Sequence, residues 1–152
     1  MERPLVVTDP SENVVEIIRE AGELAAEMDS PLLVLTVVTE SEFDSDASVL
    51  GSIGEIERTS YDMTASSYAE QIAQTAIDDL LSEYDIEIEP IGRSVGDNGE
   101  RSEAILEVAE ERDCDYIFLL GQRRTPTGKA IFGDTAQSVI LNFDGYVVTL
   151  SE

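Results

Sequence analysis

Residues 116–143 read YIFLLGQRRTPTGKAIFGDTAQSVILNF. The run Tyr116 to Leu120 is apolar throughout and stops at Gly121, as a strand buried on both faces would. After Gly133, Asp134 to Phe143 has the composition and period of a short helix. A strand, a glycine-bounded connection and a helix together make one turn of α/β winding. The rest of the chain repeats that unit.

PLVVTD, Pro4 to Asp9, is a β-branched run closed by Pro10 and reads as a first buried strand. A helix follows from Ser11 as N-cap, with Val14, Val15, Ile18, Leu24, Ala25 and Met28 at helical spacing. PLLVLTVVTE, Pro31 to Glu40, is a second strand, and residues 41–58 lack a period and read as a mobile loop. The next helix is expected from Ser60 to Tyr84, its inner face formed by Met63, Tyr68, Ile72, Ala76 and Leu80. Ile86 to Arg93 alternates like a half-exposed strand, and Pro90 suits the edge of a sheet. Ser102 to Arg112 is a helix, and YVVTL, Tyr146 to Leu150, a last strand. Strands alternating with helices predict a doubly wound α/β fold: a five-stranded, mostly parallel sheet with four helices, in one domain spanning residues 1–152. In such a sheet ligands sit beyond the carboxyl ends of the strands, where Asp9 and Gly121 both fall.

The chain has 33 acids, 9 bases and no histidine, for a net charge of −24. Carboxylates scattered along the whole length make a hydrated, self-repelling surface that salt relieves, which suggests a saline cytoplasm. They also argue against nucleic acid as a partner, since a phosphate backbone favours the opposite sign. A hydrophobic content of 42 % separates the chain from acidic disordered tails. The lone Cys114 cannot close an internal disulfide, and no apolar run reaches the roughly 20 residues that span a bilayer, so a cytoplasmic protein off the membrane is expected. Without histidine, every Ser-His-Asp or Cys-His arrangement and every His-ligated metal site is excluded.

Against this background one stretch stands apart. No acid occurs between Asp115 and Asp134, while Arg123, Arg124 and Lys129 all lie there. The triphosphatase phosphate loop is ruled out, because Arg123 occupies its first glycine and Ala130 follows Lys129 where Ser or Thr is required. A basic, glycine-bounded connection entering a helix is nonetheless suited to an anion. The helix N-terminus offers unpaired N–H groups, the glycines allow close approach, and the cations reach polyphosphate oxygens.

The run from Ile117 to Leu141 resembles the universal stress protein family, whose nucleotide-binding members carry G-x2-G-x9-G-[ST] after the fourth strand. VVTDPSE, LLVLTVV and the closing VVTL resemble the family's first, second and last strands. The resemblance implies the adenine-nucleotide alpha-hydrolase-like fold and an adenine nucleotide such as ATP, with Mg, bound in a signalling or stress role. It further implies that Asp9 and Val37 meet the adenine and that Gly121 and Gly133 let the connection wrap the phosphates; from their own chemistry, Arg123, Arg124, Lys129, Asp134 and Thr135 are expected to lie about them. A homodimer through Tyr146 to Leu150 is implied as well. The sequence departs from the motif in three places: Arg124 stands at the second glycine, the interval to Gly133 is one residue short, and Asp134 replaces Ser or Thr. Asp134 with Gln137 reads as a capping-box start to the last helix, worth about 0.5–2 kcal/mol. No pair of carboxylates is spaced for catalysis, so hydrolysis would be weak at most. The alternative is a nucleotide-free dimerisation or interaction module with a degenerate phosphate loop and no cofactor.

Overall fold

The computed structural model describes residues 3–8, 14–43, 64–124 and 130–151. Its strands are β1 (Pro4–Thr8), β2 (Leu32–Thr39), β3 (Ile88–Val95), β4 (Tyr116–Arg124), β5 (Ala130–Phe132) and β6 (Tyr146–Ser151). Its α-helices are α1 (Val15–Met28), α2 (Ala65–Leu80), α3 (Arg101–Glu111) and α4 (Asp134–Asn142), with a 3-10 turn at Asn98–Glu100. Five strands pair in parallel in the order β3-β2-β1-β4-β6, the doubly wound arrangement expected, and β5 adds a short antiparallel partner to β4. β3 lies at one edge, as Pro90 required.

Side-chain alternation sorts the core into two layers. Val6, Leu32, Val34 and Phe118 face α1 and α2, with Ile17, Ile18, Ala21, Ala73 and Ile77. Leu5, Leu33, Leu35, Val37, Ile117 and Leu119 face α3 and α4, with Ile105, Val108, Ala136 and Val139. Each fully buried Leu or Ile there contributes about 1.5–3 kcal/mol by leaving water. The first two crossovers therefore cover one face and the last two the other, and the winding reverses between β1 and β4. That reversal opens the crevice in which α/β sheets hold ligands.

Several sequence expectations are corrected. The inner face of α2 is Ala69, Ala73 and Ile77, one residue on from the expected stripe; Tyr68, Ile72, Ala76 and Leu80 are half-buried flanks. The cause is Gly92 of β3. A Cβ there would stand 2.2 Å from the Ser66 carbonyl oxygen and 2.3 Å from the Glu70 nitrogen, so α2 lies backbone-close on the sheet along its smallest residues. The helix begins at Thr64, whose hydroxyl accepts from the Ser67 N–H at 3.1 Å, and ends at Leu80 rather than Tyr84. The first helix runs from Val15 with Val14 at its N-cap, and Ser11, Ser60 and Met63 lie outside the described residues. Residues 40–43 are helical, where Glu40 was expected in the second strand and 41–43 in a loop, because Thr-Glu-Ser-Glu is a capping box. The Thr39 N–H donates to Glu42 Oε1 at 2.9 Å and the Glu42 N–H to Thr39 Oγ1 at 3.1 Å, satisfying two helix-end donors reciprocally.

Candidate functional site

The basic stretch is not a simple connection. β4 runs on through Gly121 to Arg124, and Gln122, Arg123 and Arg124 pair with Phe132, Ile131 and Ala130. Ile131 and Phe132 are β-forming residue types, a signal masked by the glycines and cations around them. Gln122 pairs with both Phe132 and Ser151, so β5 and β6 occupy opposite edges of β4. β1 and β6 likewise flank Tyr116 to Phe118 from opposite edges. β5 therefore lies on the β1 side of β4, beyond the carboxyl end of β1 and at the mouth of the crevice.

The chain then enters α4. Gly133, not Asp134, is the N-cap, at φ −69° and ψ 162°, and no side chain caps the helix. Asp134 is the first helical residue and exposed, so the expected capping box does not form. Its charge therefore acts through the helix dipole rather than through a capping hydrogen bond. The Gln137 N–H donates to the Gly133 carbonyl at 2.9 Å, which leaves the earlier amides of the first turn without an intrahelical acceptor. Gly133 is held by neither backbone angle nor packing: its φ is one any residue adopts, and a Cβ would meet nothing within 4 Å. Thr135 is half-buried in the same turn.

On the other side of the crevice, Thr8 Oγ1 and Thr36 Oγ1 are 2.6 Å apart and buried, joining the ends of β1 and β2. Val37 is 2 % exposed with its side chain in the α3/α4 core, so only its main chain can serve a ligand. Its carbonyl accepts from Arg101 Nη1 at 2.5 Å. Nη2 of the same guanidinium lies 2.6 Å from each oxygen of Glu42. Arg101 and Glu42 were missed in the sequence, although the capping box at Thr39 gave a usable signal. Asp9 and Lys129 lie outside the described residues, and Arg123 and Arg124 are placed by their backbone alone. Val37 thus lies near the carboxyl end of β2, Gly121 within β4, and Gly133, Asp134 and Thr135 at the start of α4.

An open cleft of about 590 Å³ lies farther out, at the end of β3, lined by Glu40, Phe43, Arg93, Glu100, Glu103 and Glu107 among others. Its acidic wall repels phosphate. Among the described residues no group of three acidic or sulfur side chains could hold a metal, and no helix is long and apolar enough to cross a membrane. Cys114 is buried, and burial, the first cause, pushes its thiol up to about 11, which removes it from nucleophilic chemistry.

A mostly parallel, doubly wound sheet with helices on both faces defines an α/β class of protein. Residues 1–149 match the model of the universal stress protein family, and the chain belongs to that family. It is similar to a universal stress protein from Archaeoglobus fulgidus at 25 % identity, covering 98 % of each chain with a TM-score of 0.62. It shares its fold with a universal stress protein in complex with cAMP (19 % identity, 99 % of this chain and 96 % of that one, TM-score 0.58). The Archaeoglobus fulgidus universal stress protein in complex with dAMP is similar at 17 % identity, over 98 % and 97 % of the two chains, with a TM-score of 0.52. No curated protein matches the chain.

Proposed function

We propose that this protein binds an adenine nucleotide in the crevice between β1 and β4 and acts as a cytoplasmic, single-domain sensor or stress-resistance factor rather than a catalyst. The observation that carries this reading is Gly133: a glycine that backbone and packing do not require, at the uncapped N-terminus of α4 and facing open space. An anion there meets the free amides and the positive end of the helix. Asp9 and the main chain of Val37 would take the base, with Gly121, Arg123, Arg124, Lys129 and Thr135 about the phosphates. The cAMP- and dAMP-bound relatives support an adenine ligand with a single phosphate. The exposed Asp134 points the same way, because a longer phosphate chain brings more negative charge near it. Two unit charges at about 4 Å repel by roughly 1 kcal/mol in water and about 4 at a surface-like dielectric. Magnesium, if ATP is taken, would be held chiefly by the phosphates, given the donor set among the described residues.

A homodimer through the last strand completes the proposal. β6 pairs only with β4 among the described residues, and Tyr146 on β6 is a large side chain that is 66 % exposed. The test is calorimetric titration with AMP, cAMP and ATP–Mg²⁺ in molar KCl, paired with light scattering for mass. Heat with AMP at micromolar to millimolar affinity is expected; no heat and no thermal shift with any nucleotide would leave the dimerisation module. That second reading has its own support, since β5 pairs with the end of β4 at the mouth of the crevice and the Val37 carbonyl already has a partner.

A further inference from the structure

We propose that Arg101 is a latch on the base-recognition edge of the crevice: it occupies the acceptor that an adenine amino group needs, and Glu42 holds it there. The proposal rests on the nucleotide reading above and deepens it.

The latch is built in three connected steps. The capping box fixes Glu42, whose carboxylate accepts from the Thr39 N–H while its own N–H is held by Thr39 Oγ1. That carboxylate then takes Nη2 of Arg101 on both oxygens at 2.6 Å. The guanidinium, thus oriented, presents Nη1 to the Val37 carbonyl. The Arg101 side chain is only 11 % exposed, so its position is set by packing as well as by charge. The contact spans 64 residues of sequence and ties the first turn of α3 to the end of β2. A carbonyl oxygen has two lone pairs, and a guanidinium nitrogen 2.5 Å away takes one and crowds the approach to the other, so it competes with a second donor. The exocyclic amino group of adenine is such a donor; the carbonyl at the same position of hypoxanthine is not. Binding of an amino-bearing base is therefore opposed by Nη1 and helped by its removal, whereas a base without that group gains nothing from it.

Calorimetric titration of the parent protein, Arg101→Ala and Glu42→Gln with AMP and with inosine monophosphate tests this. Arg101→Ala is expected to bind AMP about five- to tenfold more tightly, the scale of one net hydrogen bond, with inosine monophosphate unchanged. Glu42→Gln, which keeps the guanidinium but loosens its hold, should gain about two- to threefold and serves if Arg101→Ala does not fold. AMP binding that is unchanged or weaker in both variants overturns the latch and leaves the nucleotide reading standing. An equal gain for inosine monophosphate also overturns it, since the change would then be one of access. No binding of either nucleotide by any of the three proteins refutes the nucleotide reading and the latch with it.

Discussion

Thr8 and Thr36 share a buried hydrogen bond, Oγ1 to Oγ1 at 2.6 Å, where β1 meets β2 beside the crevice. Both side chains point to the α1/α2 face, among apolar neighbours, and each hydroxyl answers the other. Thr36→Val should cost about 1–3 kcal/mol by leaving the Thr8 hydroxyl buried without its partner. The Thr8→Val/Thr36→Val double variant should cost clearly less than the two singles together. Urea melts of the four proteins check this, and strictly additive losses would show that the hydroxyls do not depend on one another.

Gly92 sets how closely α2 lies on β3. A methyl group there would press on main-chain atoms of Ser66, Ala69 and Glu70, none of which is the end of a flexible side chain. Gly92→Ala is expected to lower stability by about 1–3 kcal/mol, the usual cost of overpacking, as a fall in the urea midpoint. A midpoint equal to the parent's would mean that α2 is free to lift from the sheet.

These contacts show what was legible in the sequence. The parallel strands were, because a strand buried on both faces leaves a continuous apolar run such as Leu32 to Val38 or Tyr116 to Leu120. The α2 stripe was misplaced because periodicity favours large residues, while a glycine on the facing strand selects small ones. The start of α4 was misread because Asp134 and Gln137 fit a capping box one residue out of step with the actual N-cap. The site was half legible. Its glycines and Asp134 carry a local motif, but Arg101 reaches Val37 only through the folded sheet, and no local pattern encodes that pairing.

Gly133 separates stability from binding. Serine is a better N-cap than glycine by a few tenths of a kcal/mol, and the backbone angles at Gly133 suit it. Gly133→Ser should therefore hold or slightly raise the melting temperature while weakening AMP binding, by about tenfold where a phosphate approaches the backbone closely. Equal AMP affinity in parent and variant would remove Gly133 from the ligand's path.

Asp134 acts in the opposite sense. An acid in the first turn stabilises a helix by about 0.3–1 kcal/mol through the dipole, so Asp134→Ser should lose roughly that much. It should also bind nucleotide more tightly, with a larger gain for ATP than for AMP, and the difference should shrink in molar KCl. A gain that is the same for both ligands would argue against charge repulsion as the cause.

Alkaline pH should destabilise the fold from about pH 9 upward. Burial lifts the Cys114 thiol from 9.0 to about 11, and Tyr84 is raised too, by desolvation first and then by Glu83 and Glu23. Groups whose folded pKa lies above the unfolded value stabilise fully below the unfolded pKa and lose that contribution as pH rises through the folded one. For Cys114 the window is pH 9 to 11, and the loss is about 2–3 kcal/mol at 1.36 kcal/mol per unit. Cys114→Ala should flatten the profile over that window, and native Cys114 should resist alkylation at pH 8 until urea unfolds the chain.

Salt should stabilise the protein well past physiological strength. With a net charge of −24, repulsion among unpaired carboxylates outweighs the few cation pairs, which among the described residues are Arg93–Glu111, Arg101–Glu42 and Arg112–Glu89. Surface pairs contribute only about 0–1 kcal/mol each, so screening costs little there and relieves much more elsewhere. The screening length falls from about 8 Å at 0.15 M to about 3 Å at 1 M, so the melting temperature should climb steeply over that range. Above it, any further rise reflects exclusion of salt from the surface and should depend on which salt is used. A melting temperature that stays level between 0.15 M and 1 M KCl would show that the acids are spaced widely enough not to repel, and the saline-cytoplasm reading would lose its physical basis.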